Sequence, residues 1–243
     1  MELCLAYRRS AQIAVSVARK APVRLLWTVI CFLLLIALVI VIRRATSFIL
    51  SSAPPRVPEF ADLDRNFIAH PTLTLVHIFP GLLFLLLGAS QFMEPLRRRH
   101  LTFHRWAGRV SMVCGLIVGV TALIMAPQMS IGGLNESVAT AFFAVYFLFA
   151  LTRGFLLIRR RQMGLHREWM IRAYAIGLAI ASIRPIMGVF FATSGLTHLG
   201  PHDFFGTAFW LGFSLHAVAA EVWINYTRPQ PNLLANARSR VLR

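Results

Sequence analysis

The sequence predicts an all-α integral membrane protein, a helical bundle of six transmembrane helices with both termini in the cytoplasm. Three observations lead there. Of 243 residues, 57% are hydrophobic and only 14% charged, with a mean hydropathy of +0.66, far from a soluble domain. A bilayer core of about 30 Å needs roughly 20 apolar residues per helix, and six separate stretches qualify. Finally, arginine-rich segments alternate along the chain with two loops, 127–137 and 193–204, that hold no Lys or Arg.

Residues 1–24 form a basic cytoplasmic segment with Arg8, Arg9, Arg19, Lys20 and Arg24. The first span, 25–42, is too long for the core of a signal peptide, begins after more than twenty residues and ends in Arg43-Arg44. It reads as an uncleaved helix. Residues 43–72 form an extracytoplasmic linker, extended by Pro54, Pro55 and Pro58 and continued by Asp62 and Asp64. Residues 73–224 form a five-helix membrane domain, with spans at 73–93, 106–126, 138–158, 170–192 and 205–224. The third, fifth and sixth spans of the chain are rich in Gly and Ala, which lets helix backbones approach closely. A basic cytoplasmic tail, 225–243, closes the chain.

The net charge of +16 and pI of 11.6 would suggest nucleic acid in a soluble protein. Here they follow from topology. Arg97, Arg98, Arg99 and Arg105 come after the second span, Arg159, Arg160, Arg161 and Arg167 after the fourth, and Arg228, Arg238, Arg240 and Arg243 after the sixth. Loops 127–137 and 193–204 contain no Lys or Arg. The expected partners are therefore the bilayer and the anionic phospholipids of its cytoplasmic face, not nucleic acid. Cys31 and Cys114 lie in spans and Cys4 in the cytoplasm, so no disulfide framework is indicated.

One motif occurs twice. Arg97-Arg98-Arg99, four residues and His104-Arg105 are matched, 62 positions later, by Arg159-Arg160-Arg161, four residues and His166-Arg167. Each copy joins two apolar spans, so the pattern predicts a duplicated helical hairpin, the second-third and fourth-fifth spans. His104 and His166 would then stand at equal depth on helices that face each other diagonally. Such a pair suits bis-imidazole ligation of a b-type haem, with Arg105, Arg109, Arg167 and Arg172 available to its propionates. It would equally suit a quinone head group or a phosphate-bearing lipid. The alternative is a plain cytoplasmic anchor among phospholipid headgroups. That explains the arginines, but it does not require a histidine at the same offset twice. Trp106 and Trp169 fit interfacial belt positions.

Toward the opposite face, His77, Arg184 and His216 could share a polar cluster inside the membrane. His77 or His216 alone is explained by an interhelical hydrogen bond. Arg184 cannot shed its proton, so it needs an acceptor, a watery cavity or an anionic ligand; Pro185 beside it predicts a kink. Glu94, Glu136, Glu168 and Glu221 are too scattered for a carboxylate metal site. No metalloprotease, nucleotide-loop or Ser-His-Asp pattern is present, and no reaction is assigned.

From about His77 to Arg184 the chain resembles the DUF2306 family of predicted bacterial multi-pass membrane proteins. The resemblance rests on Gly88-x-x-Gln91-Phe92, Arg97 and His104-Arg105-x-x-Gly108-Arg109. It continues through His166-Arg167-x-Trp169-Met170-x-Arg172-x-Tyr174-Ala175 and ends near Arg184. It implies a bundle in the bacterial inner membrane and no established reaction. The chain is also loosely similar to the six-helix cytochrome b561 type of electron carrier, whose haem ligands pair diagonally between the second and fourth and between the third and fifth helices. That similarity implies a third-fifth pair from His104 and His166 and half of the other from His77. The fourth span holds no histidine, and the position matching His77 is Ala139. A second haem would need His216, His198 or His202. Three functions follow: haem- or quinone-linked electron transfer, a non-redox solute carrier or channel, or a scaffold binding anionic lipid or a partner membrane complex.

Overall fold

The computed structural model describes residues 2–49 and 65–228. The linker prolines, Asp62, Asp64 and the tail beyond Arg228 lie outside these residues. Among the described residues seven helices, beside a short helical segment at 65–69, build the bundle: α1 (Glu2–Ile49), α2 (Pro71–Gln91), α3 (Glu94–Arg99), α4 (Leu101–Met129), α5 (Gly133–Arg159), α6 (Met163–Thr197) and α7 (Pro201–Thr227). Six are long and apolar enough to cross a membrane, α3 being the exception. In hydrocarbon every backbone group must be satisfied within its own segment, so apolar runs of this length become helices.

Helix ends differ from the expected spans for local reasons. α1 runs on through Arg43 and Arg44 to Ile49. α2 stops at Gln91, where the Phe92 and Met93 N–H groups turn back to the Ala89 and Ser90 carbonyls in turn. Pro95 then sits in the first turn of α3, where a missing N–H costs nothing. The chain continues through Pro185 inside α6, although the proline cannot bond the Ala181 carbonyl.

Contacts between α2 and α4, α4 and α5, α5 and α6, and α6 and α2 close a four-helix ring. α7 packs on α5 and α6, and α1 on α2 and α6. The core holds Phe84, Phe147, Leu151, Tyr174, Ile183 and Phe204. Small residues let the helices meet: a Cβ on Gly88 would come within 2.6 Å of the Tyr174 ring, and one on Gly119 within 2.5 Å of Leu148. The outward faces are equally apolar. Val138, Phe142, Val145 and Phe149 on α5, and Leu211, Leu215, Val218 and Val222 on α7, are exposed stripes at helical spacing. A bundle apolar inside and out has lipid as its solvent, so this is a multi-pass membrane protein.

Candidate functional site

Helix direction defines two ends. One, the hinge end, carries the arginine runs with His104 and His166. The other, the linker end, gathers the close of α1, the start of α2 and the α4–α5 and α6–α7 loops.

The linker end contains a cavity of about 230 Å³. Its walls are apolar, with Phe84, Phe143, Phe147, Phe209 and Phe213 among them, and its ionisable groups are Arg44, His77, Glu136 and Arg184. The neighbouring connections hold these in place. Glu136, in the first turn of α5, is 7% exposed and its Oε2 accepts the N–H groups of Ile131 and Gly132, both at 2.7 Å. The carboxylate thus fastens the α4–α5 loop, which His202 also grips through Nδ1 to the Ile131 carbonyl at 2.6 Å. The Arg184 guanidinium acts electrostatically on this carboxylate, and its Nη1 lies 3.8 Å from Met187 Sδ. Thr74, fully buried, donates to the Phe67 or His70 carbonyl and holds the turn at 65–69 against α2. The Phe67 ring then lies 4.0 Å from the guanidinium carbon of Arg44, an arginine only 5% exposed. His77 bonds Thr121 Oγ1 through Nδ1 at 2.8 Å.

Of the three residues expected to cluster in the membrane, His77 and Arg184 meet in this cavity and His216 does not. His216 Nε2 lies 2.7 Å from Ser182 Oγ, an interhelical bond that satisfies it. His198 is exposed at the end of α6 with φ +56°, and Ala139 is fully buried in the core. Among the described residues, His216 is taken by Ser182, His202 by the Ile131 carbonyl, and position 139 has no imidazole to offer His77.

At the hinge end, His104 and His166 are each the fourth residue of their helix. Their backbone N–H groups bond His100 and Gln162, which are again 62 positions apart. The histidines are close enough that a charge on His166 would act on His104. Their settings differ. His166 Nδ1 donates to the Gly154 carbonyl at 2.8 Å, leaving Nε2 open, whereas His104 Nδ1 is buried with no partner. The position matching Gly154 in the first hairpin is Phe92, whose ring packs on Tyr174 instead.

The flanking arginines are mostly engaged. Arg172 makes a two-pronged pair with Glu221, Nε–Oε1 2.6 Å and Nη2–Oε2 2.9 Å, and lies over the Trp169 ring. Arg109 lies over Trp106, and Arg167 donates to Thr227. Arg228 pairs with Glu168 at 3.0 and 2.7 Å. Arg105 and Arg97 are exposed. Among the described residues no three His, Cys, Asp or Glu side chains converge as a metal site. The histidine pair could offer two axial ligands and no more.

The residues behind the family resemblance pack together. The Tyr174 hydroxyl donates to the Leu85 carbonyl at 3.0 Å while its ring fills the space left by Gly88. Gly108 leaves room for the Gln91 side chain, and Gly154 for Met170.

Fold and site together define a multi-pass membrane protein with polar groups at both ends of a tightly packed bundle. The chain belongs to the DUF2306 family of predicted membrane proteins, which it matches over residues 74–224. No curated protein and no solved structure matches it.

Proposed function

We propose that this protein binds a small, largely apolar molecule within the membrane, in the linker-end cavity, as a carrier or accessory protein. The observation that supports this reading is the cavity itself. Its apolar walls with a few polar side chains among them are the usual make-up of a small-molecule site. Charged side chains at membrane depth are costly and tend to mark functional positions. The proposal includes a bacterial inner membrane with both termini cytoplasmic, because the arginine runs of the hinge end fit the positive-inside rule. Arg44, at the other end, has its charge covered by Phe67.

Native mass spectrometry of protein released from its own membranes tests this. The expected result is a small-molecule adduct that Gly81→Leu abolishes. Gly81 lines the cavity, and a Cβ there would meet Val118 Cγ2 at 3.7 Å, an ordinary contact, so the leucine would fill the site and leave the fold intact. An adduct that persists in the variant, or none in the native protein, rejects the reading.

A second reading, a b-type haem or quinone between His104 and His166, has its own supporting observation. The bond from His166 Nδ1 to Gly154 fixes the ring so that Nε2 remains for a ligand, as metal-binding histidines are usually oriented. Haem would supply one-electron chemistry there. With Arg109, Arg167 and Arg172 engaged elsewhere, Arg105 is what remains of the four arginines expected at its propionates. An absorption spectrum of the protein, oxidised and dithionite-reduced, decides. A Soret band lost in His104→Ala or His166→Ala upholds haem, and a featureless spectrum from haem-replete cells ends it.

A further inference from the structure

His77 lines the cavity from α2, and its Nδ1 lies 2.8 Å from Thr121 Oγ1 on α4. The Thr121 hydroxyl has one proton to give and two backbone carbonyls within reach, Ile117 at 2.7 Å and Val118 at 3.1 Å. Its oxygen therefore accepts from His77, and Nδ1 carries the ring proton. In the neutral imidazole the other nitrogen, Nε2, is then an acceptor. The ring also bonds the Val118 carbonyl, which can only accept and so likewise calls for an N–H on His77. A ligand meeting His77 thus meets a lone pair and must bring a donor.

The walls narrow the class further. Phe143 and Phe213 are stacked with centroids 4.8 Å apart, and Phe84 meets Phe147 edge-on at 5.3 Å. Walls of this kind favour a flat ring, which can continue the same stacked and edge-on contacts. An apolar cavity of about 150 Å³ already admits benzene. One of about 230 Å³ has room for a ring and a short alkyl chain.

We propose that the cavity takes a phenolic molecule, its ring among the phenylalanines and its hydroxyl donating to Nε2 of His77. This rests on the cavity being the binding site. The test compares para-pentylphenol with para-pentylanisole, which lacks only the hydroxyl donor, by calorimetric titration into protein in lipid nanodiscs. The phenol should bind at least about threefold more tightly, the effect of one net hydrogen bond. In His77→Phe the preference should vanish. Should that variant fail to fold, the nitrogen-15 resonance of His77 Nε2 in the native protein replaces it. It should move with the phenol and stay with the anisole; a resonance that ignores the phenol overturns the proposal. Equal affinity for both compounds in the native protein also overturns it while leaving the cavity site standing. If neither binds, or if Gly81→Leu binds both as well as the native protein does, the cavity reading itself falls.

Discussion

The two ends of the bundle hold the same kinds of side chain under different rules. At the hinge end, Arg172 and Arg228 meet Glu221 and Glu168 on the facing helix, each pair with at least one partner near half exposed. At the linker end, Arg44 and Glu136 are almost wholly covered and border a cavity. An exposed ion pair exchanges protein contacts for water with little net change. A buried carboxylate that has given up its hydration depends on every bond it makes. Charge at the hinge end can therefore vary at small cost, whereas charge at the linker end is tied to the shape of the site.

The sharpest way to break this comparison is at Glu136. Replacing it by Ala removes both 2.7 Å bonds and strands two N–H groups beside the cavity. The expected loss is about 3 kcal/mol, read as a lower Tm in detergent, with Glu136→Gln losing roughly half as much because a neutral oxygen can still accept. If Glu136→Ala melts like the native protein, the linker end is no more dependent on its charge than the hinge end.

A control away from both ends comes next. Gly88→Ala would push a methyl into the Tyr174 ring, which cannot retreat without giving up its bond to Leu85. Overpacking of this kind costs about 2 kcal/mol. Gly188→Ala, where no neighbour lies within 4 Å, should leave Tm unchanged or slightly raised. Equal effects at the two glycines would show that helix propensity, not the fit between α2 and α6, governs the result.

How far the sequence foretold these ends depends on whether the signal was local. Six spans were legible because length and hydropathy are properties of a single segment. Their ends were less so. Arg43-Arg44 reads as a stop, yet the helix carries both onward, since Phe67 from a separate turn covers Arg44. The meeting of His77 with Arg184 could be foreseen from depth along the helix. The placing of His216 could not, because Ser182 on the neighbouring helix takes it. Glu136 was passed over as a scattered acid. Its signal was the turn just before it, where the Ile131 and Gly132 N–H groups need an acceptor once the loop folds over the helix start. The 62-residue spacing predicts two histidines at one level, and each is the fourth residue of its helix. It could not foretell that only His166 finds a carbonyl, because Gly154 has no glycine counterpart in the first hairpin.

At the hinge end, Arg172→Leu, Glu221→Leu and the double variant form a cycle that isolates one pair. The side chain of Arg172 is 13% exposed and that of Glu221 46%. Between a buried and a surface bridge, the coupling should be about 1 kcal/mol. A coupling near that of Glu136 would place this pair among the structural clasps and erase the contrast between the ends.

The smallest effect belongs to Arg228 and Glu168, and it tests the comparison where the hinge end is most open. Arg228 lies just beyond α7, and its guanidinium is held above the usual arginine range by the Glu168 carboxylate. That gain comes from two oxygens in line with two nitrogens, at 3.0 and 2.7 Å. Because the arginine is solvated, added salt should screen the attraction, which spans no more than a Debye length. Arg228→Ala is therefore expected to lower Tm slightly at low ionic strength and not at all near 1 M salt, where that length falls to about 3 Å. Arg228→Lys should recover only part of the low-salt effect, since an ammonium cannot meet both carboxylate oxygens as a planar fork does. A loss that persists in high salt would mean that Arg228 works through packing on α6 rather than through charge.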